Sequence, residues 1–168
     1  VTVVPNDTTK YMQNVATMKY TYDMISDAYY DGRTICIFRL SDVILCKAEI
    51  ENNLNGPAAA LPYLNQIRAR AGAPEYGKHN RFPAPSTKEA MNDAILKERG
   101  YELVFEFQRR ADLIRFGKYE EVVNAHLKKL GIAQPTNVTS SLRYFPYPLN
   151  DAQLNPNLAA ENPSRLPK

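Results

Sequence analysis

The sequence predicts an all-α domain with an irregular N-terminal segment and an extended, Pro/Asn-rich C-terminal tail. Three observations lead there. Apolar residues recur at helical spacing in successive stretches between Arg39 and Leu130. Gly, Asn and Pro punctuate those stretches, as expected where helices stop and start. Twelve prolines stand against seven glycines, concentrated from Pro135 to Pro167 and from Pro74 to Pro85. With 168 residues the chain can bury a real core, so residues 1–168 are expected to form a single domain.

Residues 1–38 read as an irregular lead-in. Val1 to Pro5 alternates weakly, and Lys10 to Tyr30 is rich in Tyr and Met without a clean period. Asp31-Gly32 signals a turn, and Thr34-Ile35-Cys36-Ile37-Phe38 is a short β-rich run leading into the first helix. That helix covers about Arg39 to Leu54, with Leu40, Val43, Ile44 and Ala48 as its apolar stripe. Asn52-Asn53 and Asn55-Gly56 end it, with Gly56 at the C′ site. Pro57 begins a second helix, which runs to Ala71 with Ala60, Leu61, Leu64, Ile67 and Ala71 on one face. Pro62 brings a mild irregularity in its first turns. Gly72 and Pro74 stop it. The short connection makes residues 39–72 an antiparallel helical hairpin.

Residues 73–85 form a loop, and its lone His79 reads as a solvated side chain. Ser86 and Glu89 fit a capping box that opens a third helix through Met91, Ala94 and Ile95. Gly100 within it costs roughly 1 kcal/mol relative to Ala, which a close helix–helix approach would explain. Gly117 ends or kinks this segment. A further helix runs from about Tyr119 to Leu130, its inner face Val122, Val123, His126, Leu127 and Leu130, so helices fill residues 86–130. In the tail, residues 135–168, each X-Pro step pushes the preceding residue toward extended backbone. Tyr144, Phe145, Tyr147, Leu149, Leu154 and Leu158 are its anchors against the helices.

The densest chemistry lies between Lys97 and Gly117. Glu98, Glu102 and Glu106 are spaced i, i+4, i+8 and share a face if helical. Like charges at that spacing repel, so cations must offset them. Arg99, Arg109 and Arg110 lie three or four residues from these glutamates, and Asp112 is flanked by Arg109 and Arg115. Tyr101, Leu103, Val104, Phe105 and Phe107 surround them, and carboxylates among such residues persist only when paired. The expectation is a structural ionic network of Glu98, Arg99, Glu102, Glu106, Arg109, Asp112 and Arg115. One of Arg68 and Arg70 is expected to reach it from the second helix. The rival reading uses the glutamates as acid/base pairs of a glycosidase. Residues four apart on one helix are poorly placed to flank a bond from both sides, and no His, Cys or Ser lies at useful spacing. No catalytic residue is assigned.

Net charge is +3, from 21 basic and 18 acidic residues, with no Lys/Arg run that would indicate nucleic acid. No apolar stretch approaches the roughly 20 residues of a membrane span. No export signal is visible, but the chain opens on Val1 and reads as a mature or truncated product. Cys36 and Cys46 give no metal spacing and read as two buried small hydrophobes rather than a bridge; neither metal nor cofactor is expected. Asn6-Asp7-Thr8 and Asn137-Val138-Thr139 match a glycosylation sequon that arises easily by chance. Tyr20, Tyr22, Tyr29 and Tyr30 could make a stacking surface or pack at a core edge with their hydroxyls in water.

Three stretches in order resemble the C-terminal part of the SusD/RagB family. Arg39-Leu40-Ser41-Asp42-Val43-Ile44-Leu45-Cys46-Lys47-Ala48-Glu49, followed by Leu64-Asn65-Gln66-Ile67-Arg68-Ala69-Arg70-Ala71-Gly72, is similar to one helical pair in that part of the family. Ile95-Leu96-Lys97-Glu98-Arg99-Gly100-Tyr101-Glu102-Leu103-Val104-Phe105-Glu106, continued by Arg109, Asp112-Leu113, Arg115 and Gly117, resembles its Glu/Arg-rich signature. Pro146-Tyr147-Pro148, Leu154-Asn155-Pro156-Asn157-Leu158 and Asn162-Pro163 resemble its closing motifs. The chain departs from the pattern at Phe107, where glycine is usual, at Arg110, where an aromatic is usual, at Glu161 and at Ser164-Arg165.

The resemblance implies TPR-like helical hairpins, of which residues 39–72 look like one, and the C-terminal portion of an outer-membrane nutrient-binding lipoprotein of Bacteroidetes. It implies non-enzymatic capture of oligosaccharides, or of peptides in some members, at the outer face of the cell. Delivery is to a TonB-dependent (SusC-like) transporter, with membrane association through a lipid anchor absent from this chain. The alternative is a peptide-binding or protein-interaction module of the same TPR-like kind. Sugar recognition wants aromatic platforms, and the chain has no tryptophan. That argues against a rich site in this chain, and any ligand surface it does carry is expected at Tyr22, Tyr29 and Tyr30.

Overall fold

The computed structural model describes residues 36–130, 138–155 and 157–158. The expectations for the lead-in before Cys36, for Tyr22, Tyr29 and Tyr30, for both sequon asparagines and for the last motif of the tail lie outside the described residues. Within them the fold is all-α. Helix α1 spans Leu40–Asn55, α2 Pro57–Arg70, α3 Lys88–Glu102, α4 Arg109–Arg115, α5 Tyr119–Lys129 and α6 Leu149–Leu154, with a 3-10 turn at Ser140–Arg143. Cys36 to Phe38 form no strand, and an isolated bridge joins His79 to Phe82.

Gly56, at φ 90, separates α1 from α2, a backbone conformation that disfavours any side chain. Pro57 then opens α2, where its missing N–H would lack a partner anyway. Pro62 lies inside α2 without ending it. The two helices form the TPR-like hairpin, and α3 packs on both. Leu45, Ala48, Ala60, Leu64, Ile67, Met91, Ala94 and Ile95 make the core between them.

The hairpin is as expected, but the buried face of α1 is not. Leu40 and Val43 are 73% and 59% exposed. The buried positions are Ser41, Asp42, Leu45, Ala48 and Asn52. Polar anchors turn the helix this way. Asp42 meets Arg99 of α3 at 2.8 Å. Asn52 is fully buried and donates from Nδ2 to the Lys88 carbonyl and to Asn92 Oδ1, both at 2.8 Å. Asn52 therefore fastens α1 to the start of α3, and the helix runs past it to Asn55.

Helix α3 is capped by Thr87, not Ser86. The Thr87 hydroxyl accepts from the Ala90 N–H at 3.1 Å, because Thr87 is the last residue with extended backbone (φ −116°, ψ 159°). The helix also stops at Glu102. The chain turns over residues 103–107, with Phe105 and Phe107 in the left-handed region at φ 61 and 62, so Glu106 does not continue the helical row. Phe107 keeps a conformation that glycine, usual here in the resembled pattern, would adopt freely. Gly117, at φ 67, lies just past α4.

Helix α5 buries no residue completely. Val122, Val123 and Leu127 are half-buried, while His126 and Leu130 are exposed, so its inner face is narrower than expected. Of the expected tail anchors, Tyr147 and Leu158 are half-buried, while Tyr144, Phe145, Leu149 and Leu154 are exposed. Polar contacts hold this part. Arg143 Nε meets Glu120 Oε1 at 2.6 Å, the Arg143 carbonyl accepts from Arg110 at 2.7 Å, and the Arg110 guanidinium lies 4.6 Å over the Phe145 ring. Cys36 and Cys46 are free thiols, and both are exposed rather than buried. Cys46 sits on the polar side of α1, where its sulfur takes a contact from Arg99 Nη1 at 3.6 Å.

Candidate functional site

Arg99 is the hub of the charged region. It is 3% exposed. Its Nη1 meets Asp42 on α1 at 2.8 Å and its Nε meets Asp112 on α4 at 2.8 Å. One guanidinium thus joins three helices. Burial disfavours its charge, yet the two carboxylates outweigh burial and raise its pKa above the ordinary arginine value. Asp112 is shared with Arg115 at 3.2 Å, and Arg115 reaches across to Glu49 of α1.

A second group forms at the end of α3. Arg39, just ahead of α1, donates from Nε to Glu106 at 2.8 Å and also contacts Glu102 and Ser41. Arg70 from α2 reaches Glu102 at 2.6 Å. Burial would raise the Glu102 carboxyl pKa, but hydrogen bonds from Arg39, Ser41 and Arg70 hold it below the usual carboxylate range. The Glu106 carboxylate, followed by Glu102, raises Arg39 above its ordinary value against the opposing effect of burial. The third group is the buried pair of Arg68 and Glu98, at 2.6 Å. Both arginines of α2 therefore reach the glutamates, where one was expected.

Arg109 is the exception among the seven network candidates. Its Nη1 donates to the Leu96 carbonyl at 2.8 Å, and its guanidinium lies against Gly100. A Cβ at Gly100 would fall 2.9 Å from Arg109 Nη1. The close approach inferred for this glycine is thus made by a side chain and not by a second helix. Sequence reasoning missed Arg39, Asp42 and Glu49. The available signal was Asp42, a carboxylate placed among Leu40, Val43, Ile44 and Leu45.

Chemically the arrangement keeps these carboxylates occupied by arginines. Glu98, Glu102, Glu106 and Asp112 each have a guanidinium nitrogen within 2.8 Å. Glu102, whose carboxyl is held below its ordinary range, is thereby unsuited to act as a general acid at neutral pH. Among the described residues no three His, Cys, Asp or Glu side chains gather where they could hold a metal. No helix of these residues is long and apolar enough to cross a membrane.

Two concavities lie nearby. One, of about 350 Å³, opens between the start of α1 and the end of α2 beside Arg39 and Arg70. The larger, about 590 Å³, lies between the 73–86 loop and α3.

The model of the SusD family matches residues 3–164 of this chain. A SusD-like protein of Formosa agariphila is 39% identical over 71% of this chain and 22% of its own length. The starch-binding protein SusD of Bacteroides thetaiotaomicron is 28% identical over 80% of this chain and 22% of its own length. The crystal structure of a SusD superfamily protein from Bacteroides vulgatus superposes with a TM-score of 0.56 at 29% identity, covering 71% of this chain and 25% of that one. The chain thus spans about a quarter or less of the length of these relatives.

Proposed function

The chain belongs to the SusD family, and from that premise we propose that it is the C-terminal part of a surface protein that binds oligosaccharides without cleaving them. The protein holds the glycan at the outer face of the outer membrane, tethered by a lipid anchor, and passes it to a TonB-dependent transporter. The observation that carries the non-catalytic part is the occupancy of the carboxylates. The glutamates that could pass for an acid/base row are each held by an arginine, and Glu102 is locked ionised. The starch-binding name of one relative supports glycan as the ligand class.

The test is native electrophoresis of the full natural polypeptide through gels with and without polysaccharide, beside an assay for new reducing ends. Retardation with no release of ends is expected. Hydrolysis of the retarding glycan would overturn the non-catalytic reading.

A second reading, a peptide- or protein-binding module, draws on the outward face of α1. Leu40, Val43, Ile50 and Leu54 fall at helical spacing and are 73%, 59%, 55% and 74% exposed. Co-purification of the transporter with this chain, lost when Val43 and Ile50 become serine, would favour it.

A further inference from the structure

The connection between α2 and α3 is long for two helices of one bundle, and it is fastened throughout. Asn65, buried on α2, grips the Tyr76 backbone twice: Nδ2 donates to its carbonyl at 2.9 Å and Oδ1 accepts from its N–H at 2.8 Å. The Phe82 carbonyl accepts from the Gly77 N–H at 2.8 Å, and the Phe82 N–H donates to the His79 carbonyl at 2.9 Å. Tyr76 and Phe82 meet edge to face with centroids 5.9 Å apart. The Arg68 guanidinium covers both rings, at 4.6 and 4.8 Å, and is itself fixed by Glu98 and by the Pro74 carbonyl at 2.7 Å. Two buried polar side chains of α2 thus immobilise two aromatic rings of a surface loop. Loops held on a rigid scaffold in this way are where binding residues concentrate.

The result is the 590 Å³ groove between the loop and α3. Tyr76 and Phe82 line it, while Arg68 lies outside it. Ala90 and Ala94 are small and leave room on the helix side. Arg81, Ser86, Asp93 and Lys97 stand exposed around it. These polar groups are of mixed sign. An anion would be opposed by Asp93, and a cation by Arg81 and Lys97. A neutral polyhydroxyl compound with an apolar C–H face suits both the wall and the rim.

We propose that this groove is a sugar-binding subsite in which a ring of an oligosaccharide packs on Phe82 and Tyr76. Its hydroxyls donate to Asp93 and accept from Arg81 and Lys97. The proposal rests on the glycan-capture reading and adds the place and the residues.

The experiment uses the full natural polypeptide on a glycan array that includes maltoheptaose. The retained glycan is then titrated against wild type, the rim variant Asp93→Ala/Lys97→Ala and the wall variant Phe82→Leu. The rim variant removes two hydrogen bonds to charged groups, of which one alone accounts for about a ten-fold loss, so it should bind at least ten-fold more weakly, with an unchanged melting temperature. The same glycan should shield Lys97 from acetic anhydride while leaving Lys129 reactive, read by mass spectrometry on wild type, so the result does not depend on any variant folding. Wild-type affinity in both variants with Lys97 unshielded overturns the subsite and leaves glycan capture standing. Retention of no glycan by wild type overturns both.

Discussion

The block of α1 to α4 and the segment from α5 to α6 use the same chemical pair, arginine with a carboxylate, in opposite surroundings. In the first, Arg99 sits almost wholly out of water between Asp42 and Asp112. In the second, Arg143 and Glu120 meet on a half-exposed surface, and neither α5 nor α6 buries a residue completely. The pair itself does not decide the outcome; its surroundings do. Buried partners cannot fall back on water, so each becomes indispensable to the other. Exposed partners exchange one set of hydrogen bonds for another at little net gain.

The largest effect is expected at Arg99. Arg99→Leu takes the cation from buried Asp42 and leaves Asp112 with the half-exposed Arg115 alone, and is expected to cost about 3–5 kcal/mol, read by urea denaturation. An effect near that of a surface mutation would show that water reaches the hub. Glu98→Gln keeps the shape but weakens the hold on Arg68, and should cost about 1.5–3 kcal/mol. It should also loosen the Tyr76–Phe82 loop, seen as faster amide exchange at Phe82.

The pH dependence sharpens the same contrast. Glu102 has a folded pKa below its unfolded value, so the unfolded chain binds the extra proton as pH falls. Its contribution is fully present above the unfolded carboxylate value, near ~4.3, and fades as pH drops through the folded one. Glu102→Gln should flatten that acid limb of stability, measured as melting temperature from mildly acidic to strongly acidic buffer.

Phe107 lies in the turn that joins α3 to α4. It is 86% exposed and left-handed at φ 62. Phe107→Gly should stabilise by about 1 kcal/mol, since relief of the steric strain exceeds the added freedom of the unfolded chain. The smallest effect is expected in the tail. Arg143→Ala should leave the melting temperature of the α1–α4 block unchanged while making the 138–155 segment more open to protease, an effect that added salt should mimic in wild type.

How much of this was legible follows from the range over which each signal acts. The helices α1, α2 and α5 begin and end within one or two residues of their expected limits. Spacing, Gly56-Pro57 and Gly72 are local signals, and they act through a backbone that each residue carries with it. The network was legible as a composition, Glu and Arg packed among Leu, Val and Phe. Its wiring was not. Arg109 turned to a carbonyl, Arg39 and Asp42 joined the network unanticipated, and Glu106 left the helical row because the backbone turns at Phe105 and Phe107.

By itself, then, the sequence determined that the chain is helical, where the hairpin folds back, and that its carboxylates would need arginines. Only the tertiary structure decided which face of α1 is buried and which arginine serves which carboxylate. The physical reason is distance along the chain. Arg39 and Glu106 are 67 positions apart, and Glu49 and Arg115 are 66 apart. A local pattern cannot encode such pairs. They are selected when α3 packs on the hairpin and each buried charge must find the partner that replaces water.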